Sequence, residues 1–290
     1  MILAFPDYLN QAQRLATRLD AALAEVVVHH FPDSESLVRL PASLPEHVIV
    51  CRSLNRPNNK LIELLLCATT ARELGAKRVT LVAPYLSYMR QDIANQPGEA
   101  VSQRIIGKML AGLFDDVLTV DPHLHRIASL DQAIPLKNAI SLSAADDIAR
   151  FLKQKLGHAL LLGPDSESEQ WVATIAGKTG FDYAIADKKR FGDKRVEISL
   201  PNREYRNKTV IIIDDMASTG RTLAQAARLL QAAGCEDLYA VITHALFCGD
   251  AEAHILKAGI KAVWTTDSIA HPTSCIYLDT LLADAINAMT

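Results

Sequence analysis

The chain has 290 residues, 49% of them hydrophobic and 22% charged, with a formal net charge of -3 at pH 7. Apolar side chain on that scale builds a core, which excludes a disordered, collagen-like or repeat-rich chain. The slight acidity speaks against nucleic acid as a partner, which relies on a surplus of Lys and Arg opposite phosphates, so any anionic ligand must find local positive charge.

Strands are expected where apolar, β-branched runs occur: 24–28, 47–51, 78–84, 116–121, 159–163, 183–187, 209–215, 238–245 and 262–267. Between them, apolar residues at three- and four-residue spacing predict amphipathic helices over 58–74, 101–114, 144–156, 166–177, 219–233 and 278–288. Alternation of this kind implies an α/β fold of mostly parallel sheets flanked by helices, with ligands at the carboxyl ends of strands. The stretch IPLKNAISLSA, near 135–145, breaks the pattern and divides the chain into similar halves, residues 1–140 and 141–290. A duplicated module with a site between the copies is one reading, and a single large sheet is the other.

The five cysteines, Cys51, Cys67, Cys235, Cys248 and Cys275, form no CxxC pair, which points away from a disulfide framework or zinc knuckle and towards a reducing compartment. The opening MILAFPDYLNQ lacks the pattern of a signal peptide, and the most apolar stretch, LIELLLCA, is short and interrupted by Glu63. A cytoplasmic protein with no membrane partner is expected. The segment GKT at 177–179 is not a P-loop, because the position of the required earlier glycine is Val172.

The strongest local signal is VIIIDDMASTGRTL at 210–223, an apolar strand that runs into two carboxylates, a turn of small residues and a helix. Small residues let backbone N–H groups converge on an anion at a helix start, where the dipole adds favourable charge. A type I phosphoribosyl site needs this arrangement: the turn takes a 5-phosphate, while Asp214 and Asp215 hold ribose hydroxyls directly or through a cation. The structural alternative, a helix cap after a core strand, leaves the two adjacent acids unexplained.

Seven segments in order carry a wider resemblance: FPDSE (31–35), YLSYMRQD (85–92), VLTVDPH (117–123), GPDSE (163–167), DKKR (187–190), DDMASTGRT (214–222) and THALFCG (243–249). The chain resembles the ribose-phosphate diphosphokinases, or phosphoribosyl pyrophosphate synthetases. The resemblance implies two similar type I phosphoribosyltransferase-like domains, ATP-binding motifs in the first and the ribose 5-phosphate and catalytic loops in the second. It implies transfer of the β,γ-diphosphoryl group of ATP to the C1 hydroxyl of ribose 5-phosphate, with Mg2+ as cofactor.

By the same resemblance Phe31, Asp33, Ser34, Glu35, Arg90, Gln91 and His123 contact ATP, and His123 and Asp165 serve the metal. Lys188 and Arg190 are catalytic, and Arg190, Asp214, Asp215, Ser218, Thr219, Gly220, Arg221 and Thr222 hold ribose 5-phosphate. The family forms oligomers in which FPDSE completes a neighbour's site, which implies a homodimer or homohexamer. His29, His30, His125 and His158 match no motif and are read as structural or solvated. FPDSE also reads as an acidic surface turn, and KKRFGDKR as a charged β-hairpin with its turn at Gly192 and Asp193.

The chain departs from the family at Ser34, where glycine is usual, at Ile93, in the Ser-Glu-Ser-Glu after Asp165, and at Ser218 and Arg221, where the common residues are Asp and Gly. The segment PASLPEH lacks the arginine of allosterically regulated members. Two rival functions remain. A phosphoribosyltransferase shares DDMASTGRT but has no use for the N-terminal motifs, and a non-catalytic regulatory homologue would be expected to have lost Lys188, Arg190, His123 or Asp165, all of which are present.

Overall fold

Strands buried on both faces must be apolar throughout, and the continuous aliphatic runs of this chain become parallel strands of that kind. The computed structural model describes residues 1–191 and 195–289, and the side chains of all of these except 188–191 and 195–197. It divides into two compact units, residues 1–143 with 268–270 and 279–290, and residues 144–267 with 271–278.

The first unit contains β1 (Ile2–Ala4), α1 (Leu9–Leu19), β2 (Leu23–Glu25), β3 (Val27–His30), β4 (Ser36–Arg39), β5 (His47–Cys51), α2 (Pro57–Glu73), β6 (Arg78–Val82), α3 (Ser102–Leu113), β7 (Asp116–Val120) and β8 (Asn138–Leu142). Among the described residues its sheet runs β2-β1-β5-β6-β7-β8, with every neighbouring pair parallel. Leu3, Val48, Val50, Val79, Leu81 and Val117 share one apolar cluster with Leu61, Leu64, Cys67, Ala68 and Ala71 of α2. Burial in this core pushes the Cys51 and Cys67 thiols up to about 12, so both are inert packing groups.

The second unit contains α4 (Ala145–Lys155), β9 (Leu160–Gly163), α5 (Glu169–Thr179), β10 (Asp182–Ile185), β11 (Asp187–Phe191), β12 (Arg195–Ser199), β13 (Thr209–Ala217), α6 (Arg221–Ala232), β14 (Asp237–Ala245), α7 (Ala251–Lys257), β15 (Ala262–Thr266) and β16 (Ser274–Ile276). Its sheet runs β10-β9-β13-β14-β15-β16, again parallel throughout. Leu160, Leu162, Val210, Ile212, Ala240 and Ile242 pack with Leu223, Ala226, Ala227 and Leu230 of α6. The last helix, α8 (Asp279–Asn287), belongs to the first unit, where Arg18 Nε on α1 donates to Asp279 Oδ2 at 2.7 Å.

The two units repeat one plan. In each, the second strand of the sheet lies outside the first, the later strands follow on the other side in chain order, and an antiparallel hairpin is inserted between the second and third. Val26 N–H donates to Ala4 O at 2.8 Å, which ends β2 and releases β3; Ala186 N–H donates to Gly163 O at 2.8 Å, which ends β10 and releases β11. The runs expected as single buried strands, 24–28 and 183–187, are therefore each split between a sheet strand and a hairpin strand, and Val27 is exposed. The hairpin β3–β4 that carries FPDSE is the topological counterpart of the hairpin β11–β12 that carries DKKR.

Other expectations are corrected at element ends. The stretch near 135–145 contains β8, paired parallel with β7 at the sheet edge; its residues are largely half-buried, so it shows no continuous apolar run. The helix expected over 166–177 is a short 3-10 turn at Ser166–Ser168 followed by α5, which extends to Thr179. GKT at 177–179 ends that helix, as expected. No helix among the described residues is long and apolar enough to cross a membrane.

Candidate active site

In open parallel sheets ligands bind outside the carboxyl ends of strands, where the strand order reverses. In the second unit that place lies between β9 and β13. From β13 come Asp214, half-buried, and Asp215, buried, with Asp215 N–H donating to Asp214 Oδ1 at 3.1 Å. Ser218, Thr219 and Gly220 then turn the chain into α6, whose N-terminus has no capping side chain. Gly220 sits at φ 69, a left-handed conformation that glycine adopts without steric cost. A Cβ there would meet Ile255 Cδ1 and Cγ1 at 2.9 Å and Ala251 O at 3.0 Å, so both backbone conformation and space require glycine.

The turn is braced from outside. Phe247 N–H donates to Ala217 O at 2.9 Å, Cys248 N–H donates to Ser218 O at 2.8 Å, and Ser218 Oγ approaches Cys248 Sγ at 3.6 Å. Phe247 and Cys248 lie in the THALFCG motif, whose role sequence reasoning did not identify; a motif directly after a parallel strand was the available signal. Thr219 and Arg221 are exposed and Thr222 half-buried. The result is a braced turn at an uncapped helix start, preceded in the chain by two carboxylates and followed by an exposed arginine, which suits a sugar phosphate.

The equivalent place in the first unit is closed. Between β1 and β5, the buried Arg52 lies with its guanidinium carbon 4.0 Å from the Phe5 ring centroid and its Nε 3.2 Å from Asp7 Oδ1. Lys60 Nζ is 2.5 Å from Asp7 Oδ2 and donates to Ser53 O and Asn55 Oδ1, both at 2.7 Å. The cations of this unit's switch point are thus neutralised by the unit's own acids and carbonyls.

The nucleotide candidates of the first unit lie on its hairpin and on strand-end loops. Phe31, Asp33, Ser34 and Glu35 form the exposed tip between β3 and β4, closed by Phe31 N–H to Glu35 O at 2.8 Å and Ser34 N–H to Phe31 O at 2.9 Å. Ser34 has φ 74, which explains why a glycine suits this position. Arg90 is exposed in the loop after β6. Gln91 instead organises that loop: its Oε1 accepts from the N–H (3.2 Å) and the hydroxyl of Ser102 at the start of α3, and its Nε2 donates to Glu99 Oε1 at 3.0 Å. His123, half-buried after β7, packs edge-on against exposed His125 with centroids 4.0 Å apart.

In the second unit Asp165 follows β9 and caps the 3-10 turn, its Oδ1 accepting from Glu167 N–H at 3.2 Å and Ser168 N–H at 3.3 Å. Lys188 and Arg190 lie on β11, in register with Ile198 and Val196 of β12. Their side chains, and the expected turn at Gly192 and Asp193, lie outside the described residues.

Comparisons with known proteins agree along the whole chain. Residues 1–113 match the model of the N-terminal domain of ribose phosphate pyrophosphokinase, and residues 139–274 that of the phosphoribosyl transferase domain. The ribose-phosphate pyrophosphokinase of Methanopyrus kandleri is 33% identical over 294 residues, covering 100% of this chain and 99% of that protein. The protein of that name from Sulfolobus acidocaldarius is 32% identical, covering 90% of each. In fold, the phosphoribosylpyrophosphate synthetase from Mycobacterium smegmatis matches with a TM-score of 0.82 at 23% identity, over 100% of this chain and 98% of that one.

Proposed function

The chain belongs to the ribose-phosphate pyrophosphokinase family, and on that premise we infer that it transfers the β,γ-diphosphoryl group of ATP to the C1 hydroxyl of ribose 5-phosphate, giving 5-phosphoribosyl 1-diphosphate and AMP. Its fold is the expected α/β one, with two phosphoribosyltransferase-like domains; we take the expected division at 140/141 as their boundary, except that residues 268–270 and α8 return to the first unit. The observation that carries the substrate assignment is the contrast between the units. The switch point of the first is filled by Arg52, Lys60 and Asp7, while in the second a braced turn at an uncapped helix start follows Asp214 and Asp215.

Diphosphoryl transfer depends on holding the nucleophile and neutralising charge more than on a strong base. Backbone N–H groups of 218–222, with the Ser218, Thr219 and Thr222 hydroxyls and Arg221, hold the 5-phosphate. Asp214 and Asp215 hold the ribose hydroxyls and so fix the C1 hydroxyl. Lys188 and Arg190 stabilise the oxygens around the reacting phosphorus, and closure of their hairpin excludes water that would hydrolyse ATP. Arg90 forks a phosphate of the nucleotide, and Phe31, Asp33, Ser34 and Glu35 form the adenine contact.

Magnesium prefers hard oxygen donors, so the carboxylates of Asp165, Asp214 and Asp215 fit it better than an imidazole does. Asp165, which keeps one oxygen on its own turn, is the metal residue of the second unit, and His123 is the contact of the first unit to the nucleotide complex. Bound with the nucleotide, Mg2+ would supply neutralisation of phosphate charge. The exposed FPDSE tip supports a homo-oligomer, dimeric or hexameric, in which it serves a second copy. Five free cysteines fit a cytoplasmic location.

Calorimetric titration with ribose 5-phosphate tests the sugar assignment. Asp214→Ala is expected to weaken binding by about tenfold or more; unchanged sugar affinity contradicts it.

A further inference from the structure

Between the buried residues Val26 and Leu40 no residue of the first unit's hairpin is buried. A two-stranded hairpin alone is marginal in water, so a tip that makes an oriented contact needs an anchor. Val28 and Val38 pack partly on the core, a contact that lacks the donor–acceptor geometry of a hydrogen bond.

The directional anchor is Glu63, the acid in the middle of α2 that interrupts its most apolar stretch. Its side chain is 1% exposed. Oε1 accepts from His30 Nε2 at 2.8 Å, the last residue of β3, and from Ser36 Oγ at 2.9 Å, the first of β4. Oε2 is paired with Arg52 Nη1 at 2.5 Å, and Arg52 is fixed in turn by Phe5 and Asp7. Burial alone would push the Glu63 carboxyl up, but the Arg52 charge and the hydrogen bonds from His30, Ser36 and Arg52 outweigh it and hold it below the ordinary carboxylate range. One charged carboxylate therefore grips both strands of the hairpin at the two residues that flank the tip 31–35, and ties them to the filled switch point of the same unit.

We propose that Glu63 is a positioning residue for nucleotide binding, acting through His30 and Ser36 to fix the direction of the tip that carries Phe31, Asp33 and Glu35. The proposal rests on the assignment of that tip to the adenine contact. Removing the Glu63 carboxylate would strip buried Arg52 of its Nη1 partner, leaving it only the longer Nε contact to Asp7, and endanger the fold, so the test cuts the grip on the hairpin side and leaves the Glu63–Arg52 pair intact.

In the full-length protein, His30→Ala/Ser36→Ala is expected to raise KM for ATP by about tenfold or more, with kcat and KM for ribose 5-phosphate within about twofold of wild type. His30→Gln/Ser36→Thr, which keeps both donors, is expected to restore KM for ATP to within about threefold of wild type. Phe31→Ala in the wild-type background is the companion measurement. If Phe31→Ala raises KM for ATP and the double alanine variant does not, the positioning role of Glu63 is overturned while the tip assignment stands. If neither raises it, the tip assignment fails and the proposal with it. Equal loss in kcat and in both KM values, with no rescue by the conservative pair, overturns the proposal in favour of a purely structural role.

Discussion

Cys248 N–H donates to the carbonyl of Ser218 at 2.8 Å, so the loop after β14 holds the turn between β13 and α6 by its backbone. The brace takes up the carbonyls of Ala217 and Ser218 through backbone N–H groups, and the Cys248 thiol adds a side-chain approach to the Ser218 hydroxyl at 3.6 Å. The tight position is Gly220, where an added Cβ would press on Ile255 and on the carbonyl of Ala251. Gly220→Ala is expected to cost about 1–3 kcal/mol of stability and to raise KM for ribose 5-phosphate by about tenfold or more, with KM for ATP little changed. Steady-state kinetics with each substrate varied, alongside urea unfolding, checks both parts.

Ser34 supplies a complementary case. It holds φ 74 without the freedom of glycine, and its tip closes through the Phe31–Ser34 and Phe31–Glu35 backbone bonds. Ser34→Gly relieves a left-handed strain of about 1 kcal/mol, offset in part by the entropy of glycine in the unfolded chain. A small rise in the urea midpoint is expected, and a clear fall would mean that the serine side chain stabilises the tip.

Asp116, at the opposite end of the first sheet from the strand-end loops, makes stability depend on pH. Burial pushes its carboxyl up, but hydrogen bonds from Arg78, at 2.8 and 3.1 Å, from Asn138 and from Thr80 outweigh this and hold it below the ordinary carboxylate range. The folded protein therefore binds a proton there less readily than the unfolded chain. Its contribution is complete above the unfolded value of about 4 and is lost as pH falls through the lower folded value. Asp116→Asn is expected to cost about 2 kcal/mol at neutral pH and to flatten the decline of stability below about pH 4. Urea midpoints measured across acid pH for both proteins check the sign.

The parallel strands were legible because burial on both faces demands apolar runs, and Asp214, Asp215 and the turn 218–220 were legible because their arrangement is local. Other features depend on distant partners. The splitting of 24–28 and 183–187 is decided by bonds to Ala4 and Gly163, and the brace on Ser218 comes from a loop some thirty residues later. Strand β8 escaped because a half-buried edge strand carries no continuous apolar signal. Gln91 matched an ATP-binding motif, yet its amide holds Ser102 and Glu99, contacts that no spacing rule foretells. His30 looked unassigned and Glu63 looked like an interruption, because a buried charge is recognised only when its partners are seen.

The catalytic assignment of Lys188 makes a kinetic prediction. A charge that acts on the transferring group matters mainly in the transition state, so Lys188→Ala is expected to lower kcat by about 10²–10³-fold with ribose 5-phosphate affinity within about twofold. Single-turnover kinetics paired with calorimetric sugar binding checks it. An equal loss of sugar binding would move Lys188 from catalysis to ground-state recognition.

Diphosphoryl transfer to the C1 hydroxyl leaves distinct phosphorus signals, so phosphorus NMR of the products is the decisive measurement. With ribose 5-phosphate, ATP and Mg2+, AMP and a new C1 diphosphate are expected, both dependent on the sugar and abolished by chelation of the metal. Release of ADP and orthophosphate, or no sugar-dependent turnover with the metal present, would contradict it.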